Sequence, residues 1–145
     1  MTGNDNRAPW QTILVVDDEP AIREAFCEFL SDLGYIAMPA KDARSMLVTL
    51  EKLPVHLVLL DLVLPDIYGL DLLPQLREQF PSVRVLVMSG YLTEESERQC
   101  FANGASAVIR KPVHLPALAE VVASTLDPQG SRGPAKRPSP DKNRV

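Results

Sequence analysis

Residues 12–20 read TILVVDDEP: a β-branched and aliphatic run, Thr12–Val16, stops at Asp17, Asp18 and Glu19, with Pro20 behind them. An apolar run without alternation predicts a strand covered on both faces. Pro20 suits a first helical turn, and Ile22, Ala25, Phe26, Phe29, Leu30 and Leu33 follow at helical spacing. Gly34 supplies the stop. A buried strand running into an amphipathic helix is the first half of a βαβ unit.

The same alternation continues outward from this stretch. Tyr35–Met38 reads as a short second strand, and Ala43, Met46, Leu47 and Leu50 form a helical stripe that ends before Pro54. His56–Leu60 is a third buried run, followed by a turn-rich loop and a helix carrying Leu73, Leu76 and Phe80. Val83–Met88 is the fourth strand. The helix over Thr93–Asn103 is mostly polar, with Glu94, Glu95 and Glu97 where the helix dipole favours acid and Cys100 and Phe101 as apolar anchors. Ala105–Ile109 reads as the last strand, and Leu115, Leu118, Val121 and Val122 mark the last helix. Five strands alternating with five helices predict an α/β three-layer sandwich with a parallel sheet and right-handed crossovers.

Composition fits this reading. A chain of 145 residues, 46% hydrophobic, can bury a core without metal or disulfide staples. The net charge of -4 argues against a dedicated nucleic-acid binder. Cys27 and Cys100 form neither a disulfide framework nor a metal knuckle; they read as packing residues in a reducing cytoplasm. No apolar run approaches the ~18 residues that span a bilayer, and the N-terminus lacks an apolar signal core, so no membrane contact is expected. Residues 1–11 read as a loose lead-in, with Trp10 expected to fold over an edge or helix. Residues 127–145 hold four prolines and a charge of +3, and read as a disordered basic linker or tail. The ordered domain is expected over residues 12–126.

In open parallel sheets the functional crevice lies beyond the C-terminal ends of the strands. The first strand ends in Asp17 and Asp18, the third in Asp61, the fourth in Ser89, and the fifth leads to Lys111. Each residue alone has a plain reading: a capping or solvated carboxylate, a loop serine, a surface lysine. Their meeting at one edge from four different strands does not. Clustered carboxylates repel one another, and a divalent cation removes the penalty. Magnesium suits the set, because it takes oxygen ligands and keeps waters beside a phosphate. Zinc would want His or Cys, and His56 and His114 are poorly placed; His114 reads as a capping or surface residue.

The runs ILVVDDEP, LVLLDLVLPDIYG, VLVMSG and GASAVIRKP together resemble the receiver domain of two-component response regulators, over about residues 12–126. The resemblance implies a doubly wound, flavodoxin-like sheet in the order 2-1-3-4-5. It implies that Asp61 takes a phosphoryl group from the phosphohistidine of a sensor histidine kinase or phosphotransfer protein, or from a small phosphodonor. Asp18, Asp61 and the Val63 backbone carbonyl would bind Mg²⁺, with Asp17 acting mainly through a water. Ser89 and Lys111 would each meet a phosphoryl oxygen. Pro112 matches the family proline that follows a cis peptide, and Gly69 is expected to supply a backbone conformation that a Cβ would resist. The implied output is protein contact, a further domain, or a phosphorylation-dependent dimer through the fourth helix, fifth strand and fifth helix. Direct nucleic-acid binding by residues 12–126 is not expected.

The sequence departs from the family pattern at two places. Val108 stands where receivers often carry an aromatic residue whose rotamer follows the hydroxyl, so the signal must travel by backbone shift or other packing, with Tyr91 a candidate. Val63 cannot orient an attacking water through a polar side chain, and Tyr91 would further restrict access to the site; both imply slow loss of phosphate. Two other classes fit the residues less well. An aspartyl-phosphate phosphatase or phosphotransferase would want a second acid where Val63 stands, and a flavin module would want a Ser/Thr/Gly-rich loop where DDEP stands.

Overall fold

The computed structural model describes residues 10–127; residues 1–9 of the expected lead-in (1–11) and 128–145 of the expected tail (127–145) lie outside the described residues. The elements run β1 (Thr12–Val16), α1 (Pro20–Asp32), β2 (Ile36–Ala40), α2 (Ala43–Lys52), β3 (Leu57–Asp61), α3 (Gly69–Gln79), β4 (Arg84–Ser89), α4 (Glu94–Ala102), β5 (Ala107–Arg110) and α5 (Leu115–Leu126). All strand pairs are parallel, and the sheet order is β2-β1-β3-β4-β5. This is the doubly wound α/β sandwich expected from the sequence.

The period of two along each strand divides the core. Leu14, Val16, Val58, Leu60, Val85 and Val87 face α2, α3 and α4, where they meet Met46, Leu73, Leu76 and Cys100. Ile13, Val15, Leu57, Leu59, Leu86 and Met88 face α1 and α5, against Phe26, Leu30, Leu118 and Val122. Every residue of β1 and β3 is buried, which explains why these two strands read as unbroken apolar runs.

The edge strands differ from the sequence reading. β2 begins one residue later and extends through Pro39 to Ala40; a strand paired only with β1 can spare the amide that proline lacks. β5 is shifted to Ala107–Arg110. Gly34 follows the end of α1 at φ +104°, a left-handed conformation suited to glycine. Pro74 sits inside α3 on its exposed side, where the missing hydrogen bond is least costly. Two expected packing residues point outward instead. Trp10 is 66% exposed, against the expectation that it folds over an edge or helix, and Phe101 is 47% exposed, which leaves Cys100 as the buried anchor of α4.

Candidate functional site

The register of the central strands brings the chemistry to one edge. Asp17 follows β1, and its amide donates to the Ala40 carbonyl at 3.1 Å, which fixes where β1 ends. Its carboxylate is fully buried: Oδ1 accepts from the Glu19 amide at 2.9 Å and Oδ2 from Lys111 Nζ at 2.9 Å. Arg23, one turn into α1, donates to the Asp17 carbonyl at 2.7 Å. Asp61 is the last residue of β3 and only 6% exposed. Its Oδ1 accepts from the Val63 amide at 3.2 Å and its Oδ2 from Lys111 Nζ at 3.3 Å. Lys111 therefore straddles the two buried aspartates.

Asp18 is exposed, and one carboxylate oxygen from each of Asp17, Asp18 and Asp61 lies within 4.8 Å of the others. Three carboxylates and one ammonium leave a charge of -2 in this corner. Burial, reinforced by the Asp17 charge, pushes the Asp61 carboxyl above its ordinary range, although the Val63 amide and Lys111 pull it down. Burial alone would depress the Lys111 ammonium, but its bonds to and attraction by Asp17 and Asp61 outweigh that and raise it. A hard dication fits this donor set: the oxygens converge, the charge deficit matches, and among the described residues no other such cluster appears.

Ser89 ends β4, one residue beyond the partner of Asp61, and is buried. Its Oγ accepts from the Tyr91 amide at 3.1 Å, and its carbonyl accepts from the Lys111 amide at 2.9 Å. The Lys111–Pro112 peptide is cis. Val63 is 51% exposed, and Tyr91, at 85% exposed, shields the carboxylates little in this conformation. Gly69 has a different role from the expected one. It does not occupy the left-handed region; instead, a Cβ there would stand 2.8 Å from the Leu62 Cα and 3.0 Å from the Asp61 carbonyl oxygen. Close approach of α3 to the end of β3 requires glycine, not backbone conformation. His114 precedes α5 at the cap position without a side-chain cap bond.

Three charged residues escaped the sequence reading, each clamping one of the loops that carry the site. Besides Arg23, Asp66 accepts from the Ala43 and Arg44 amides, both at 3.1 Å, and so ties the β3–α3 loop to the start of α2. Arg110 donates to the Leu92 carbonyl at 2.7 Å and reaches Glu97 at 3.3 Å. Only Arg110 left a trace in the sequence, as a charge two positions from Val108 and hence on the same strand face.

The family model described as response regulator receiver domain matches residues 13–123, nearly the whole described fold. The chain belongs to the response regulator receiver domain family. Among its relatives, this receiver domain is 33% identical over 114 residues to response regulator RR06 of Streptococcus pneumoniae, covering 79% of this chain and 52% of the relative. It is 33% identical over 135 residues to response regulator protein PilR of Pseudomonas aeruginosa, covering 93% of this chain and 30% of the relative. A CheY-like receiver domain crystal structure from Methanospirillum hungatei superposes with a TM-score of 0.80 at 32% identity, covering 86% of this chain and 100% of that one. The receiver domain thus spans about half or less of the two regulators it matches. No helix among the described residues is long and apolar enough to cross a membrane.

Proposed function

We propose that this receiver domain is a phosphorylation-dependent switch of a two-component system, with Asp61 as phosphoacceptor. The observation that carries the reading is the Lys111 ammonium bonded at once to Asp17 and Asp61, beside a third carboxylate. An Asp61 carboxylate oxygen attacks the phosphorus of a phosphohistidine on a sensor kinase or phosphotransfer protein, or of a small phosphodonor. With a phosphohistidine the new P–O bond forms as the P–N bond breaks and the departing imidazole keeps the electron pair; with an acyl phosphate the donor's own P–O bond breaks and the departing carboxylate keeps it. Lys111 pairs with one phosphoryl oxygen, and the Ser89 hydroxyl donates to another.

Asp18, Asp61 and the Val63 carbonyl are the residues that would hold Mg²⁺, while Asp17, its oxygens already engaged by Lys111 and Glu19, acts mainly through a water. When bound, Mg²⁺ supplies positive charge against the gathered carboxylates and the incoming phosphoryl oxygens. The domain catalyses only its own phosphorylation and dephosphorylation, in the cytoplasm, and passes the signal to a protein partner, an attached domain or a second copy through α4, β5 and α5. A phosphatase of the aspartyl-phosphate class is disfavoured because an exposed valine, Val63, stands where its second acid would be.

The test is incubation with Mg²⁺ and acetyl phosphate, followed by intact-mass measurement. The wild type is expected to gain one phosphoryl group and Asp61→Asn none; equal labelling of both would reject the assignment.

A further inference from the structure

Receiver function requires that the pocket be felt at the surface, and β5 connects the pocket with the start of α4. Val108 packs with the core under α2, α3 and α4, whereas Ile109 packs with the core under α1 and α5. The strand period returns Arg110 to the Val108 side. From there its Nη1 donates to the Leu92 carbonyl at 2.7 Å and its Nη2 reaches Glu97 Oε1, in the first turn of α4, at 3.3 Å. The backbone of Arg110 is equally well placed. Its partner in the sheet register is Ser89, and its neighbour Lys111 donates its amide to the Ser89 carbonyl.

We propose that Arg110 is a positioning residue that latches the β4–α4 segment and reports the state of the pocket to α4, in place of an aromatic side chain at position 108. The inference rests on the phosphorylation reading above and deepens it. In the unmodified chain the Ser89 hydroxyl accepts from the Tyr91 amide, holding the segment folded back on β4. A hydroxyl drawn towards a phosphoryl oxygen leaves that amide, and the segment carrying Leu92 moves. The charge-assisted bond from Arg110 to the Leu92 carbonyl then breaks. What remains is the exposed pair with Glu97, which is too weak to hold the first turn of α4.

The experiment compares amide spectra and hydrogen exchange of the full chain, wild type against Arg110→Ala, Arg110→Lys and Glu97→Gln, with and without Mg²⁺ and beryllium fluoride. Without ligand, Arg110→Ala should speed exchange in the Tyr91–Glu97 stretch roughly 10-fold. It should also displace those resonances towards the positions that beryllium fluoride produces in the wild type, while the Val63 amide still responds fully to the ligand. Arg110→Lys, lacking the planar fork, should fall between. Glu97→Gln should do less than Arg110→Ala. Wild-type exchange and a full α4 response in Arg110→Ala would overturn the proposal, as would an equal effect of Glu97→Gln. Loss of the Val63 response in Arg110→Ala would do so too, since the residue would then build the pocket. A wild type that ignores beryllium fluoride would sink the phosphorylation reading, and the ligand-free comparison would still decide whether Arg110 holds the segment.

Discussion

Lys111 is the residue on which the unphosphorylated pocket depends, because Asp17 is buried and would otherwise lack a cation. Lys111→Ala is expected to lower stability by about 3 kcal/mol in denaturant melts, the cost of leaving a buried charge without its partner. Asp61 is expected to behave in the opposite way. Its carboxyl is raised chiefly by burial, so the fold disfavours its charge, and Asp61→Asn should stabilise the metal-free chain by about 1 kcal/mol at neutral pH. The sign with pH follows from linkage. A raised carboxyl binds its proton more tightly in the folded state, so its contribution is full at low pH and is lost as pH rises through the folded value. The gain of Asp61→Asn should therefore vanish on acidification and appear as the wild-type carboxylate ionises; a gain independent of pH in paired melts would contradict this cause. On the proposed phosphoacceptor reading, Val63 bears on lifetime rather than stability. Half exposed and without a polar group, it would leave the attacking water unguided, so Val63→Asn should speed loss of phosphate, measured as decay of the phosphorylated mass; an unchanged or slower decay rejects the idea.

At the scale of elements, the site is a meeting of strand ends and helix starts, and loops clamped by charges keep them in place. The β3–α3 loop is closed at its base by the Gly69 amide bonding to the Leu62 carbonyl and by the Val63–Tyr68 bridge, and at its tip by Asp66 on α2. All three contacts depend on α3 starting hard against the end of β3. Gly69→Ala would drive a methyl into backbone at Leu62 and Asp61, neither of which is a flexible side-chain end. The expected cost is about 2 kcal/mol, read in thermal melts, together with weakened Mg²⁺ binding, since the displaced residues are Asp61 and the start of its loop. An alanine variant as stable as the wild type would show that α3 can retreat freely. The other end of this network is α4, whose first turn is closed by a capping box between Thr93 and Ser96. That box makes the helix start a discrete unit, which Arg110 can hold or release.

For the whole molecule, the sequence made the parallel sandwich legible because β1, β3 and β4 are buried through nearly their full length, and continuous burial demands continuous apolar residues. The site was legible for a different reason: a parallel sheet sends every strand's C-terminal end to the same edge, so aspartates 17, 18 and 61, Ser89 and Lys111 had to gather there. The edges were harder to read. β2 and β5 each have one partner, and partial burial blurs the pattern that marks their ends. The directions of Trp10 and Phe101, and the long-range grips of Asp66 and Arg110, are tertiary facts with no local signature. The reason for Gly69 was equally hidden, since a close approach shows only once two elements meet. All of this converges on a corner with three carboxylates and one ammonium, stable as a fold yet short of positive charge. A ligand that binds only the folded chain stabilises it progressively with concentration. The most direct measurement is the thermal midpoint of the chain as a function of Mg²⁺ concentration at neutral pH and constant ionic strength. A midpoint that climbs steadily with Mg²⁺ is the expected result, and one that stays flat across the titration would contradict the account.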